Sequence, residues 1–287
     1  MRTTTKLERW TIPVDGGSLE VVVGGVGSPA LCEAPHPIVP GVTAPCGPLA
    51  GLGQVVRVSP RGPGGSTPWR GPLDATIEQL ADDLETVRVG LGIGPWVIVG
   101  HSAGGFVALE YARRHPSGAA GLVLVATSLG LRPLYAAPRS RNSALHPHWQ
   151  AELAAHPIAA APARTDVFRM TRVRDGLWMA LEGNRPLTPL PIPDVPADLA
   201  ARLEQTLAFD PLPWLGEIRV PALIVCGGAD DIVPLGHCEA LQAVLPAAEL
   251  IVFECSGHSP MNSEPAAYRA AVERFLARLR GDSPQSP

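Results

Sequence analysis

The chain opens with two stretches of alternating apolar and polar residues, 8–13 and 18–23, separated by Asp15-Gly16-Gly17. Alternation with a period of two on either side of a glycine turn predicts a β-hairpin. The pattern then changes. QVVRV at 54–58, WVIVG at 96–100, LVLVA at 122–126, ALIVC at 222–226 and ELIVF at 249–253 are short apolar runs. Runs of that length without clear alternation fit strands covered on both faces. Between them lie helical spacings. Ile77, Leu80, Leu84, Val87 and Leu91 recur every three or four residues, with Thr76 and Gln79 set as a capping box. Phe106, Val107 and Leu109 to Tyr111 suit a helix ending near His115-Pro116. Tyr268, Ala271, Val272, Phe275, Leu276 and Leu279 share one face of a last helix. Strand–helix–strand units repeated in this way imply an α/β fold with a parallel sheet wrapped by helices.

Two segments interrupt the rhythm. Of 32 prolines, 10 fall in residues 29–72 and 12 in residues 129–219, while the strands and helices of the expected sheet are nearly free of them. The second segment reads as an insertion between two sheet strands, dividing the chain into a core of 1–128 and 220–280, a cap of 129–219 and a disordered tail of 281–287. The high Gly and Pro content on its own leans towards disorder, but 46% hydrophobic residues suffice for a buried core. A net charge of −4 with no basic block gives no electrostatic reason to expect nucleic acid or an anionic membrane as partner. The first residues lack the apolar core of a signal peptide, and the longest apolar stretch, 118–131, is too short to span a bilayer. Five cysteines without CxxC spacing argue against a disulfide framework and a zinc site. These features together leave a cytoplasmic, soluble enzyme or binding protein; a homodimer stays open.

The candidate chemistry sits where strands end. Gly100-His101-Ser102-Ala103-Gly104 is G-x-S-x-G, placed directly after one apolar run and at the start of a helix. That context puts Ser102 on a tight turn at the carboxyl edge of the sheet, with Oγ exposed beside the positive end of the helix. A serine hydroxyl needs a base to take its proton, and the base needs an orienting acid. Asp230 follows the run 222–226 and His258 follows 249–253, so three strand ends carry Ser, Asp and His in that chain order. Asp231 is the weaker candidate for the acid. His101, inside the motif, is expected to point its ring away from Oγ.

On these residues the chain resembles the α/β-hydrolase fold superfamily over residues 8–280, and within it the esterase and proline-iminopeptidase-like branch. The hairpin, RGPGGS at 61–66 with the following helix, GHSAGG, GGADDIVP and SGHSPMNSEP carry the likeness. The resemblance implies an eight-stranded, mostly parallel sheet flanked by helices, with a helical cap inserted after the sixth strand. It also implies Ser102 as nucleophile, Asp230 as acid and His258 as base. One oxyanion-hole donor would be the N–H of Ala103, next to the nucleophile. The other would follow the third strand, where the family has His-Gly-x. This chain has APHPIVPGV at 34–42, which offers Ile38, or Val42 after Pro40-Gly41. Ser59-Pro60 stands where relatives generally carry an Asp before the Arg-Gly turn.

The expected activity is a serine hydrolase that cleaves an ester, lactone or thioester of a mid-sized apolar molecule through an acyl-enzyme on Ser102. It would need no cofactor and no metal. Trp149, Phe168, Trp178 and Met179 of the cap are the candidate substrate-binding residues, with Met170, Phe209 and Trp214 as further apolar candidates. Glu152, Glu182 and Glu204 could instead bind a substrate amine, as in an aminopeptidase or amidase of the iminopeptidase type. Two more functions fit the same residues: a cyclase or thioesterase of secondary metabolism, and a non-catalytic binding protein.

Overall fold

The computed structural model describes residues 7–38, 45–62, 64–71, 74, 76–136, 202 and 205–281. The hairpin forms from β1 (Leu7–Val14) and β2 (Gly17–Gly24), antiparallel, with Trp10 opposite Val21 and Val14 opposite Gly17. Gly16 takes φ +70 in the connecting turn, a conformation that needs no Cβ. The remaining strands are β3 (Leu31–Glu33), β4 (Val55–Val58), β5 (Trp96–His101), β6 (Ala119–Val125), β7 (Ala222–Gly227) and β8 (Ala248–Phe253). They form an eight-stranded sheet in the order β1-β2-β4-β3-β5-β6-β7-β8. The β2–β4 pairing is antiparallel, and every pairing from β4 to β8 is parallel.

The apolar runs conceal an alternation that only the two faces reveal. Trp96, Ile98, Leu122, Leu124, Ala222, Ile224 and Cys226 face one core, and Val97, Val99, Val123, Val125, Leu223 and Val225 face the other. On the first face lie α1 (Ile77–Gly90), α2 (Gly104–Arg114) and, after the short α3 (Leu131–Ala136) and α4 (Leu212–Leu215), α5 (Leu235–Val244). The second face is covered by α7 (Pro265–Leu279), preceded by the single turn α6 (Pro260–Ser263). The α7 side chains buried there are Tyr268, Ala271, Val272, Phe275 and Leu276, and Leu279, the last residue of the stripe expected from spacing, packs against them half-buried. Thr76 caps α1 by accepting the Gln79 N–H at 3.0 Å. The capping box is only half formed, because the Gln79 side chain donates forward to Asp83 Oδ1 at 2.9 Å.

Two elements escape the hydrophobic pattern. β3 is three residues long and ends in a buried Glu33, to which Arg57 donates at 3.3 Å. α5 fully buries only Cys238 and Leu241, too few to mark a face. Most of 129–219 and the tail after Gly281 lie outside the described residues, but the insertion does fall between the sixth and seventh strands. All five cysteines are free thiols, and among the described residues no helix is long and apolar enough to cross a membrane.

The segment after β4 is held to β2 by polar side chains as well as by the backbone bonds Ser59 N–H to Glu20 O (2.9 Å) and Thr67 N–H to Ser18 O (2.8 Å). Ser66 Oγ donates to Ser59 O (2.7 Å) and accepts the Glu20 N–H (2.9 Å), while Thr67 Oγ1 accepts the Ser18 N–H (2.7 Å). Beneath them Arg61, 1% exposed, makes a two-pronged bond to Asp83 of α1 (3.0 and 2.9 Å) and donates to Asp15 O at 2.8 Å. One guanidinium thus joins the hairpin turn, the segment and α1. Removing it leaves the Asp83 carboxylate buried without its cation. Arg61→Ala is expected to lower stability by about 3–5 kcal/mol in urea unfolding, with an unchanged m-value. A loss below about 1 kcal/mol, the level of an exposed pair, would contradict this assignment.

Candidate active site

β5 runs into Ser102 with almost no room to turn. Ser102 sits at φ +54, in the left-handed region that L residues avoid, and α2 starts two residues later. Two bonds from the neighbouring strand hold it there. The Ser102 N–H donates to Val125 O (2.8 Å), and Thr127 Oγ1 donates to Ser102 O (2.9 Å). The motif glycines serve close approach. A Cβ on Gly100 would stand 2.6 Å from Gly104 O, and one on Gly105 would stand 2.1 Å from Thr127 Oγ1. The helix therefore packs directly on the strand that delivers the serine. Ala126, at φ +48, is the second non-glycine residue with positive φ among those described, and it turns the end of β6 toward Thr127.

Asp230 and His258 meet at the same edge. Asp230 Oδ2 lies 2.9 Å from His258 Nδ1, while its Oδ1 accepts the N–H groups of Ile232 (2.8 Å) and Val233 (2.9 Å). Both carboxylate oxygens are engaged, so the orientation of the Asp230 side chain is fixed by its own loop and by His258. Asp230, not Asp231, meets the imidazole. An ionised carboxylate beside Nδ1 holds the proton on that nitrogen and leaves Nε2 as the acceptor. The two loops are stitched through backbone. Gly228 N–H donates to Phe253 O (2.8 Å) and Ala229 N–H to Ser256 O (3.0 Å). A Cβ on Gly227 would sit 2.1 Å from Gly257 O and 2.4 Å from Ser256 O. Ser256 Oγ donates to Glu264 Oε1 (2.6 Å), tying the histidine loop to the residue before α7.

His101, the residue before Ser102, makes a contact that its place in the motif does not reveal. Its ring is fully buried and its Nε2 lies 2.7 Å from His258 O, with the two ring centroids 4.7 Å apart. Burial drives its pKa down to about 3, and charge on His258 pushes the same way. His101 is the functional candidate that sequence reasoning missed. The letters GHS place the residue, but nothing in them shows that it reaches a loop beyond β8.

The proposed oxyanion region is partly described. Ala103 is the residue that caps α2. The N–H of Ile38 donates to His36 Nδ1 at 3.2 Å, and both residues are buried. Gly104 lets the elbow approach this segment, since a Cβ there would lie 3.2 Å from Ala34 O. Val42, Trp149, Phe168, Trp178, Met179, Met170, Glu152, Glu182 and Glu204 lie outside the described residues. Phe209 and Trp214 are within the described residues and pack against α2. Phe209 stacks on Phe106 of α2 (5.1 Å, 22°), Trp214 meets it edge-on at 6.0 Å, and Arg113 lies over the Trp214 ring. They dock the returning chain onto α2.

The sheet order, elbow and strand-end residues define a hydrolase architecture, and sequence comparison agrees. Residues 53–265 match the model of the alpha/beta hydrolase fold family. The chain belongs to this family and is a hydrolase. It is similar to pimeloyl-(acyl-carrier protein) methyl ester esterase of Aromatoleum aromaticum, with 33% identity over 232 residues covering 73% of this chain and 82% of that protein. Its fold is similar to that of an alpha/beta fold family hydrolase from Bacillus anthracis (TM-score 0.68, 19% identity, 96% and 99% of the two chains). It is also similar in fold to proline iminopeptidase of Mycobacterium smegmatis (TM-score 0.65, 20% identity, 95% and 98%).

The contact at Gly227 gives a test of how tightly the Asp230 and His258 loops are coupled. Gly227→Ala must push the carbonyls of Ser256 and Gly257 away from β7 and is expected to cost about 1–3 kcal/mol, with loss of activity. Gly236→Ala, in α5, meets nothing within 4 Å and should be neutral or stabilising by up to about 1 kcal/mol, with activity kept. Equal stabilities for the two variants in denaturant titrations would contradict the close approach.

Proposed function

We propose that this hydrolase cleaves an ester, lactone or thioester of a mid-sized apolar molecule, with Ser102 as nucleophile, His258 as base and Asp230 as its orienting acid. The observation that carries the reading is the 2.9 Å Asp230–His258 pair at the same sheet edge as a serine strained to φ +54. In the first half-reaction Ser102 Oγ attacks the acyl carbon while His258 Nε2 takes its proton. The imidazolium so formed is stabilised by Asp230. The carbonyl oxygen becomes an oxyanion, received by the Ala103 N–H and by the N–H of Ile38 or Val42. For Ile38 this means exchanging its 3.2 Å bond to His36 for one to the substrate. Collapse of the tetrahedral adduct expels the alcohol or thiol, which leaves with the proton from His258. Water, deprotonated by the same nitrogen, then attacks the acyl-enzyme, releases the acid and restores Ser102.

The relative's name supports an ester over a peptide substrate, because that protein acts on a methyl ester. Turnover of nitrophenyl esters of increasing acyl length is therefore expected to exceed turnover of amino-acid nitroanilides. Ser102→Ala should lower kcat by at least about 10⁴-fold. Preference for a nitroanilide would favour an aminopeptidase instead. Retained turnover in Ser102→Ala would remove the nucleophile assignment altogether.

A further inference from the structure

We propose that His101 is the positioning residue for the base: its Nε2–H, donated to the backbone carbonyl of His258, sets where that imidazole stands relative to Ser102. The inference rests on Ser102 and His258 being nucleophile and base, and it adds the group that registers one against the other. The need is geometric. Ser102 leaves β5, whereas His258 lies on the loop after β8, with β6 and β7 between them in the sheet. Three strand spacings amount to roughly 14 Å. The acid loop ties the base to β7, two strands from the serine, through the Gly228 and Ala229 N–H bonds. The bond from His101 reaches the base loop from the elbow strand itself, joining residues 157 positions apart at 2.7 Å. It starts one residue before the nucleophile.

The chemistry of the ring supports a role beyond packing. A carbonyl oxygen only accepts, so His101 Nε2 carries the proton. The other nitrogen, Nδ1, is buried and has no hydrogen-bond partner among the described residues. An orphaned acceptor is unfavourable in a core, and an aliphatic or phenyl side chain would avoid it. What neither could do is donate to His258 O. Neutrality matters too. The ring sits 4.7 Å from His258, which must become a cation during each half-reaction. A histidine that its surroundings keep unprotonated can stand beside that cation without opposing it or competing for its proton.

The test compares His101→Gln, whose amide N–H reaches about as far as Nε2, with His101→Leu and with His101→Asn, which is too short. The full-length variants are treated with a fluorophosphonate, and the inactivation rate constant is separated from the reagent's binding constant, with the melting temperature measured alongside. Mispositioning the base is expected to slow inactivation by about 10²-fold in the Leu and Asn variants while binding changes little. The Gln variant should recover most of the wild-type rate. The Gln–Asn contrast keeps the test decisive if the Leu variant does not fold. Leu or Asn variants that are folded and labelled as fast as wild type would overturn the inference, as would Gln and Asn variants slowed alike. A wild-type protein that resists labelling would overturn the reading of Ser102 beneath it, which is a separate and visible outcome.

Discussion

The arrangement depends on holding one serine in a backbone conformation it would not choose. A non-glycine residue at φ +54 costs on the order of 1–3 kcal/mol, and relaxing it would swing α2 away from the sheet. The opposing forces are specific. Two hydrogen bonds from the end of β6 fix Ser102 through its N–H and its carbonyl. The whole of α2 from Gly104 to Ala112 is buried and cannot leave without exposing Phe106, Val107, Leu109 and Tyr111. The strain persists because the core over-determines it, and its product is a hydroxyl raised at the carboxyl edge of the sheet.

The other two groups reach the same edge by a different route. Parallel strands deliver their carboxyl ends side by side, so the loops after β7 and β8 are neighbours before any side chain is considered. Gly227 lets those loops touch, backbone bonds join them, and Asp230 spends its three acceptor contacts on two amides and one imidazole. Arg61 performs a related task with charge. It gathers the hairpin turn, a proline-rich segment and α1 around one buried guanidinium.

Much of this is legible in the residues because it rests on local rules. Apolar runs bounded by turns mark the buried strands to within a few residues, as with WVIVG at 96–100 against β5 (Trp96–His101). Residue type at strand ends singles out Ser102, Asp230 and His258. What escapes is short or non-local. β3 has three residues and a buried glutamate, which no periodicity can register. α5 buries too little to show a face. The contacts of Phe209 and Trp214 are non-local, since their partners, Phe106 and Arg113, lie on a helix about a hundred residues earlier in the chain. The contact of His101 is hidden for the same reason, since its partner lies 157 residues away. The Ile38 N–H bond to His36 likewise depends on the path of a loop and not on its letters.

These held positions matter only if they make Ser102 a nucleophile that carries an acyl group. The most direct measurement is rapid acid quenching of the protein during turnover of an activated ester, followed by mass spectrometry of the intact chain and of the peptide containing Ser102. The predicted result is an added mass equal to the acyl group, located on Ser102, appearing with a burst of alcohol stoichiometric with protein and absent from Ser102→Ala. Turnover with no acyl adduct, or with the adduct on another residue, would contradict it.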